Sequence, residues 1–216
     1  MVILKYVKPS LEISNNIAVI GSSGIIKNKE WGSEINKFSE VVRFNRSPTE
    51  GFEKWVGSKT TLRVVNQNVI TSSPFPKEDL DNGFWLGQDQ NFVKKLRDTK
   101  ILHYGVGTGK NNIHKSNKLY IFQHLERNAP RKINHIIKGF SSGDLPKDIT
   151  FSVGIGFITL CIVSGIVPDI YGFDILDRER DHYFEKRREA GPCHNVSLEK
   201  LFLKELINKK MVIYHA

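Results

Sequence analysis

The chain has 216 residues, with 39% hydrophobic and 25% charged side chains and a formal net charge of +9. This length and composition exclude a disordered or collagen-like polymer and predict one folded domain with a sizeable core. The positive charge predicts an anionic partner.

The charge surplus lies in one segment of the chain. Residues 94 to 147 contain twelve Lys or Arg against three acidic residues, and this surplus of nine equals that of the whole chain. A nucleic acid, an anionic membrane surface, a charged glycan and a phosphate-bearing small molecule all fit such a segment, and so does an ordinary solvated surface. Composition leaves these alternatives open.

The N-terminal sequence and the cysteines predict a cytoplasmic protein. Two lysines interrupt the short apolar run MVILKYVKPS, and no stretch approaches the roughly 18 apolar residues of a membrane span. We therefore expect neither a signal peptide nor an anchor. Cys161 and Cys193 are too few for a disulfide-built secreted scaffold, so a reducing compartment fits best.

The predicted elements alternate between strands and helices after a polar lead-in over residues 1 to 15. The predicted strands are residues 17–20, 41–45, 61–66, 101–104, 169–174 and 211–214, and the predicted helices are residues 31–38, 90–98, 152–166 and 195–208. Residues 71–89 and 105–116 are predicted loops, the first being the better candidate for a lid. The alternation predicts an α/β sandwich with a mostly parallel sheet, which binds ligands at the carboxyl ends of its strands.

Two glycine turns are candidates for anion binding. Gly21-Ser22-Ser23-Gly24 follows a predicted strand directly, and Ser152-Val153-Gly154 begins an apolar helix. Glycine allows a tight turn, and the amides and dipole of a helix start attract phosphate or carboxylate. The first turn lacks the third glycine of a dinucleotide fingerprint, and a plain strand-to-helix turn fits it equally well.

Two histidines are candidates for catalysis. His182 lies among alternating charges, and His194 precedes Glu199 by five residues, so that Glu199 could orient an imidazole or the local backbone. Histidine can accept a proton near neutral pH or carry positive charge beside a leaving phosphate. The chain has no HExxH, CxxC or GxxxxGK[ST] pattern, so we expect neither a zinc site nor a Walker-type nucleotide site.

Taken together, these motifs resemble glycosyltransferase family 29, the sialyltransferases. Residues 17 to 66 resemble the large sialylmotif, including its Arg-Phe-Asn, Pro-Thr-Glu-Gly-Phe-Glu and Val-Gly-Ser-Lys-Thr-Thr segments, and residues 151 to 174 resemble the small sialylmotif. His182-Tyr183-Phe184-Glu185 resembles the third motif, and His194 with Glu199 resembles the very small motif. All four motifs occur in the order typical of the family.

The resemblance implies a fold and a reaction. The fold would be a single-domain Rossmann-like sandwich over residues 1 to 216, the sialyltransferase-type variant of the GT-A fold. The reaction would be an inverting, metal-independent transfer, without a cofactor, of an ulosonic acid from CMP-sialic acid or CMP-Kdo to a hydroxyl of a glycan or glycolipid acceptor.

The resemblance also implies roles for particular residues. His194 would be the general base, and His182 would lie beside the donor phosphate. The residues implied to bind the donor are Gly21, Ser22, Ser23, Gly24, Asn45, Ser152, Val153, Gly154, Tyr171, Gly172 and Phe173, with Arg43, Tyr183 and Glu199 in support. Residues 171 to 173 would wall the cytidine pocket.

The chain departs from the family pattern at several positions. Ser22 stands where Asn is usual, and Val153 stands where Thr is usual. The two cysteines that pair in animal members correspond to Ile17 and Gly165, so that disulfide is not expected. These departures imply a soluble bacterial- or viral-type enzyme of polysaccharide biosynthesis, working at the inner face of the membrane, and they keep Kdo open beside sialic acid.

Two alternatives accompany this hypothesis. A basic nucleic-acid-binding protein would explain the charge, but the sequence has no aromatic-interleaved recognition motif, so we expect no nucleic-acid partner. A catalytically silent CMP-binding relative would keep the fold without explaining the presence of both His182 and His194.

Overall fold

The computed structural model describes residues 1–5, 7–66, 96, 99–104, 119–122, 151–175, 182–185 and 196–216. Its strands in these ranges are β1 (Val2–Ile3), β2 (Val7–Lys8), β3 (Glu12–Ile13), β4 (Ile17–Ile20), β5 (Glu40–Phe44), β6 (Leu62–Asn66), β7 (Lys100–Tyr104), β8 (Leu119–Phe122), β9 (Asp169–Tyr171) and β10 (Ile213–His215). Its helices there are a 3-10 helix (Gly24–Asn28), α1 (Gly32–Ile35), α2 (Glu53–Val56), α3 (Val153–Val163) and α4 (Val196–Asn208).

Eight of the described strands form one sheet, in the order β10-β9-β4-β5-β6-β7-β8-β2. All neighbours are parallel except β2, which pairs antiparallel with β8 at one edge. The chain runs outward from β4 through β5 to β8 and later returns to β9 on the other side of β4. This reversal beside β4 is where open α/β sheets bind ligands. The predicted α/β fold with a mostly parallel sheet is confirmed.

Helices cover both faces of this sheet. On one face, α3 packs among apolar side chains of β4 and β5 such as Val19 and Val42, and Phe202 of α4 joins the same core. Ten of the eleven residues of α3 are buried, as its uniformly apolar sequence requires. On the other face, Trp31, Ile35 and Val56 pack against the alternate residues of β4, β5 and β9.

The predicted elements that carry strong apolar patterns are present, while several boundaries differ. The helix predicted over residues 31–38 covers only Gly32–Ile35, and the short helix Glu53–Val56 was not predicted. β9 ends at Tyr171 rather than at residue 174, because Gly172 adopts a φ of +69° and turns the chain. The last strand is Ile213–His215 rather than residues 211–214.

The predicted polar lead-in is part of the fold. It holds three short strands, and β2 extends the main sheet while β1 and β3 pair with each other. Leu4, Leu11 and Ile13 are fully buried in the core beneath them. In the lead-in, the buried Leu11 and Ile13 alternate with the exposed Glu12, which is the pattern of a strand with one buried face.

Several predicted segments lie wholly or largely outside the described residues. They are the loops over residues 71–89 and 105–116, the helix over residues 90–98 and most of the basic segment 94–147. Among the helices that the structure does describe, none has the length and hydropathy to cross a membrane.

Candidate functional site

The predicted donor-binding motifs come together at the carboxyl ends of β4, β5 and β9. We call this group the strand-end site; its members are the first glycine turn (residues 21–24), the proline turn (residues 45–48), the start of α3 (residues 152–154), residues 172–173 and residues 182–185. The parallel sheet brings them together, because the carboxyl ends of parallel strands share one edge.

The first glycine turn is held tightly to the end of β9. The Gly21 amide donates to the Tyr171 carbonyl at 2.7 Å, and the Ser23 amide donates to the Gly172 carbonyl at 3.1 Å. A Cβ on Gly21 would lie 2.4 Å from the Gly172 oxygen, so no larger residue fits. Two of the four amides in this turn therefore join the two strands instead of facing a ligand.

Phe173 links the first glycine turn to the start of α3. A Cβ on Gly21 would lie 3.0 Å from one edge of the Phe173 ring, and a Cβ on Gly154 would lie 3.0 Å from another. The ring of Phe44 packs against Phe173 edge to face, with centroids 6.4 Å apart. The Phe173 ring therefore lies between the two glycine turns, which the sequence predicted to bind the same donor.

Ser152 caps α3, and Glu199 fixes Ser152 in turn. The Ser152 hydroxyl accepts from the Ile155 amide at 3.4 Å, and the Ser152 amide donates to Glu199 Oε1 from the first turn of α4. The amides of Val153 and Gly154, the first residues of the helix, have no intrahelical acceptor and carry the positive end of its dipole. This helix start can receive a phosphate or carboxylate.

The proline turn leaves β5 through a left-handed residue. Asn45 has a φ of +44°, and its side-chain Oδ1 accepts from the Asn66 amide at 3.0 Å. The buried Arg63 guanidinium donates to the carbonyls of Ser47 at 2.8 Å and of Asn45 at 3.3 Å. Since the side-chain oxygen Oδ1 of Asn45 accepts from Asn66, the side-chain nitrogen Nδ2 is the atom of this side chain that can donate a hydrogen bond to a ligand.

Residues 182–185 lie against the first glycine turn. His182 forms an antiparallel bridge with Ser23, and the Tyr183 amide donates to the Ser22 carbonyl at 3.0 Å. His182 Nδ1 is 3.3 Å from the same carbonyl, and its ring stacks on Phe184 with centroids 5.3 Å apart. A carbonyl can only accept, so Nδ1 carries a proton in this arrangement. The structure thereby brings His182 to the predicted donor turn.

Tyr183 ties residues 182–185 to the proline turn. Its hydroxyl donates to the Pro48 carbonyl at 2.5 Å, and the side chain is 1% exposed. Burial raises the pKa of Tyr183 to about 12, with the nearby Arg43 and Arg63 acting in the opposite direction. The hydroxyl is therefore protonated at neutral pH and serves as a donor.

Two of the predicted residues face away from the strand-end site. The Tyr171 side chain is fully buried under α1, where its hydroxyl donates to Glu34 Oε1 at 3.0 Å and its ring stacks on His215. It therefore does not wall a ligand pocket, because side chains alternate along a strand and Tyr171 points to the other face. Arg43 is also fully buried and donates to the carbonyls of Val56, Gly57 and Lys59, and the predicted support of the donor turns is not among these contacts.

His194 lies outside the described residues, and its role as base stays a prediction. Glu199 was predicted to support His194 or the local backbone, and the structure gives it the Ser152 amide as a partner. No three His, Cys, Asp or Glu side chains converge within the described part of the chain, and the metal independence of the reaction stays a prediction as well.

The sequence analysis did not identify Arg63 or Ser47 as members of this arrangement. Ser47 Oγ lies 3.2 Å from Ser22 Oγ and so joins the proline turn to the first glycine turn. The available signal for Arg63 was a lone cation inside the apolar strand sequence Leu62–Asn66, where an unpaired charge would be costly.

A family model for glycosyltransferase family 29 (sialyltransferase) matches residues 8–211. The chain belongs to this family. The resemblance based on the four motifs is thereby confirmed, and it extends to the segments between them.

Curated sialyltransferases match over most of the chain. The type 2 lactosamine alpha-2,3-sialyltransferase of Homo sapiens is 27% identical over 228 residues, which cover 90% of this chain and 62% of the relative. The beta-galactoside alpha-2,6-sialyltransferase 1 of Mus musculus is 28% identical over 213 residues, covering 88% of this chain and 49% of the relative. The chain thus spans about half to three fifths of the length of these relatives.

The fold is also that of two solved mammalian sialyltransferases. A mammalian sialyltransferase in complex with Gal-beta-1-3GalNAc-ortho-nitrophenol superposes with a TM-score of 0.60 at 19% identity, covering 92% of this chain and 68% of that one. A second structure of a mammalian sialyltransferase gives a TM-score of 0.57 at 24% identity. These likenesses support the sialyltransferase-type α/β fold.

Proposed function

We propose that this family 29 chain transfers a sialic acid from CMP-sialic acid to a hydroxyl group of a glycan acceptor, with inversion and without a metal ion. The observation that carries the proposal is the strand-end site, where Phe173 packs on both glycine turns and His182 contacts Ser22 and Ser23. The named relatives act on lactosamine and beta-galactoside acceptors. A galactose-terminated glycan is therefore the first acceptor to test.

The donor phosphate would lie between two electropositive groups. The start of α3 presents the amides of Val153 and Gly154 and the positive end of a helix dipole. His182, protonated on both ring nitrogens, would add charge from the side of the first glycine turn. Together they would stabilise the negative charge that grows on CMP as it leaves, a role that enzymes otherwise give to a metal ion.

The acceptor would be activated by His194. The acceptor oxygen attacks the anomeric carbon, the bond to the CMP oxygen breaks with its electron pair, and the hydroxyl proton passes to the imidazole. His194 must be neutral before the reaction while His182 is charged, so their surroundings must set their pKa values apart. CMP-Kdo stays in the proposal as the second donor, since Ser22 and Val153 depart from the family pattern in the donor turns.

The basic segment 94–147 is proposed to face an anionic acceptor or an anionic membrane surface near it. The bacterial- or viral-type character and the cytoplasmic location stay predictions.

The test is CMP release from CMP-sialic acid and CMP-Kdo, measured with and without acceptor in excess EDTA. We expect acceptor-dependent release in EDTA, and a loss of kcat of about 10²-fold or more in His194→Ala, with CMP affinity within about twofold of wild type. His215→Ala is the control, because His215 pairs with Asp169 on β9 away from the strand-end site. Full activity of His194→Ala would remove His194 from the base role.

Two further outcomes would contradict other parts of the proposal. CMP binding without release from either donor would indicate the silent relative. Activity lost in EDTA and restored by a divalent cation would overturn metal independence.

A further inference from the structure

Two buried arginines stand side by side in the centre of the sheet. Arg43 on β5 and Arg63 on β6 are partners in the parallel register, and their exposed fractions are 0% and 4%. Burying a guanidinium is unfavourable unless hydrogen bonds replace those it made with water. Burial, and secondarily the Arg43 charge, lower the pKa of Arg63 to about 9. Arg63 is thus still a cation at neutral pH.

The two arginines hold different loops. Arg43 donates to the carbonyls of Val56 at 2.6 Å and of Gly57 at 3.0 Å, at the end of α2 and in the loop that follows it. Arg63 donates to the carbonyls of Ser47 and Asn45, in the proline turn at the strand-end site. The two side chains are alike in chemistry, burial and position in the strand, and they differ in the carbonyls to which they donate.

The proline turn that Arg63 holds is the shared support of the strand-end site. Ser47 reaches the first glycine turn through Ser22, and Pro48 accepts the Tyr183 hydroxyl next to His182. Asn45 occupies left-handed backbone, which strains a non-glycine residue unless its surroundings hold it. A displacement of this turn would therefore reach Ser22, Asn45 and residues 182–185 together.

We propose that Arg63 is a positioning residue for the nucleotide part of the donor, acting through the proline turn. The role rests on the proposed function, because it presumes that the strand-end site binds a cytidine monophosphate group. One terminal Nη atom of the Arg63 guanidinium donates to both carbonyls of the turn. A lysine ammonium is a point charge on a flexible stem and lacks the rigid plane that holds this nitrogen between the two carbonyls.

The test compares Arg63→Lys with Arg43→Lys, a matched change in the neighbouring strand. Three quantities are measured at a temperature where urea unfolding shows both variants folded: hydrogen exchange of residues 44–48 and 56–60, the Kd for CMP, and kcat with KM for CMP-sialic acid. We expect Arg63→Lys to raise exchange in residues 44–48 and to raise the Kd and donor KM about tenfold, with kcat within about threefold of wild type. Arg43→Lys should raise exchange in residues 56–60 and leave the Kd within about twofold.

Tyr183→Phe is the second variant, since it removes the hydrogen bond to Pro48 and keeps Arg63. It should raise the donor KM in the same direction by a smaller factor. If wild type binds CMP and the two lysine variants have equal effects on hydrogen exchange and on CMP affinity, the proposed role of Arg63 is overturned. The proposed function is not affected by that result. Failure of the wild-type protein to bind CMP would overturn the proposed function and the donor role of Arg63 with it, whatever the exchange pattern.

Discussion

Glu199 illustrates at the residue scale how a motif residue acts through the backbone. Its carboxylate accepts the Ser152 amide and so joins the first turn of α4 to the start of α3. This contact places Glu199 in support of the helix start that is proposed to receive the donor. The spacing of Glu199 from His194 suggested a local partner, and the contact with Ser152 spans 47 positions along the chain.

Replacement of Glu199 tests this contact. A hydrogen bond to a charged group contributes about 1.5–3 kcal/mol, so Glu199→Ala should lower the free energy of unfolding by about 2 kcal/mol and raise the donor KM about tenfold. Glu199→Gln keeps an acceptor oxygen, so it should lower the free energy of unfolding less and raise the donor KM less than Glu199→Ala does. The measurements are urea unfolding and initial-rate kinetics.

Glu205→Ala is the matched control on the same helix. Glu205 pairs with Lys209 at 3.4 Å, and such a pair contributes about 0.5 kcal/mol or less. Equal losses of stability and of donor binding in Glu199→Ala and Glu205→Ala would show that the contact with Ser152 does not organise the site.

The junction of β4 and β9 is the decisive feature at the scale of elements. A Cβ on Gly172 would lie 2.8 Å from the Gly21 carbonyl oxygen, and Gly172 has a φ of +69°. The sequence predicted the first glycine turn from the apolar run before it. It could not predict the approach of Gly172, because that approach depends on which strand becomes the neighbour of β4.

Gly172→Ala tests this junction, with Gly165→Ala as its control. Gly165 has a φ of +84° and nothing within 4 Å of an added Cβ, so its replacement adds only backbone strain, about 1–2 kcal/mol. Gly172→Ala adds the clash with Gly21 and should cost about 1–3 kcal/mol more and weaken CMP binding at least tenfold. Thermal unfolding and calorimetry with CMP measure both effects. CMP affinity unchanged in Gly172→Ala would contradict the importance of the junction.

Element boundaries were predicted less well than element order. The apolar runs of β4 and β6 predicted both strands to within one residue at each end. The helix over residues 31–38 is one turn long because the next amides, of Lys37 and Phe38, bond three residues back, to Glu34 and Ile35, and so no longer follow the α-helical pattern. The position of β10 follows from its register with β9, which local patterns do not contain.

At the scale of the whole molecule, one buried titratable side chain links stability to pH. His103 on β7 is 2% exposed, and its Nε2 has no hydrogen-bond partner among the described residues. Burial lowers the pKa of His103 below its usual value of 6.5. Below pH 6.5 His103 binds a proton in the unfolded chain, whereas it stays neutral in the folded protein. Acidification therefore favours unfolding.

The comparison of wild type with His103→Gln isolates this contribution. The free energy of unfolding of wild type should fall relative to the variant as the pH drops from 6.5 towards 5, by at most about 1.4 kcal/mol per pH unit. The difference should be constant between pH 7.5 and 8.5. Urea unfolding across this range checks it, and parallel curves down to pH 5 would contradict a neutral buried His103.

The fold class could be derived from the sequence because it depends on local patterns, and the four motifs in order identified most of the described residues that meet at the strand-end site, whose role in binding the donor stays a prediction. The face of the sheet that Tyr171 occupies and the reach of Arg63 to the proline turn could not, since both depend on strand register. The sequence therefore identified the residues of the strand-end site better than it identified residues such as Arg63, which fix those residues in position through hydrogen bonds.

The central claim is that the carboxyl ends of β4, β5 and β9 bind the CMP group of the donor. A crystal structure of the protein with CMP tests it most directly. We predict that the phosphate lies within hydrogen-bond distance of the start of α3 or of His182, with the nucleoside beside Asn45 and the first glycine turn. CMP bound elsewhere, or with its phosphorus far from both His182 and His194, would contradict the account.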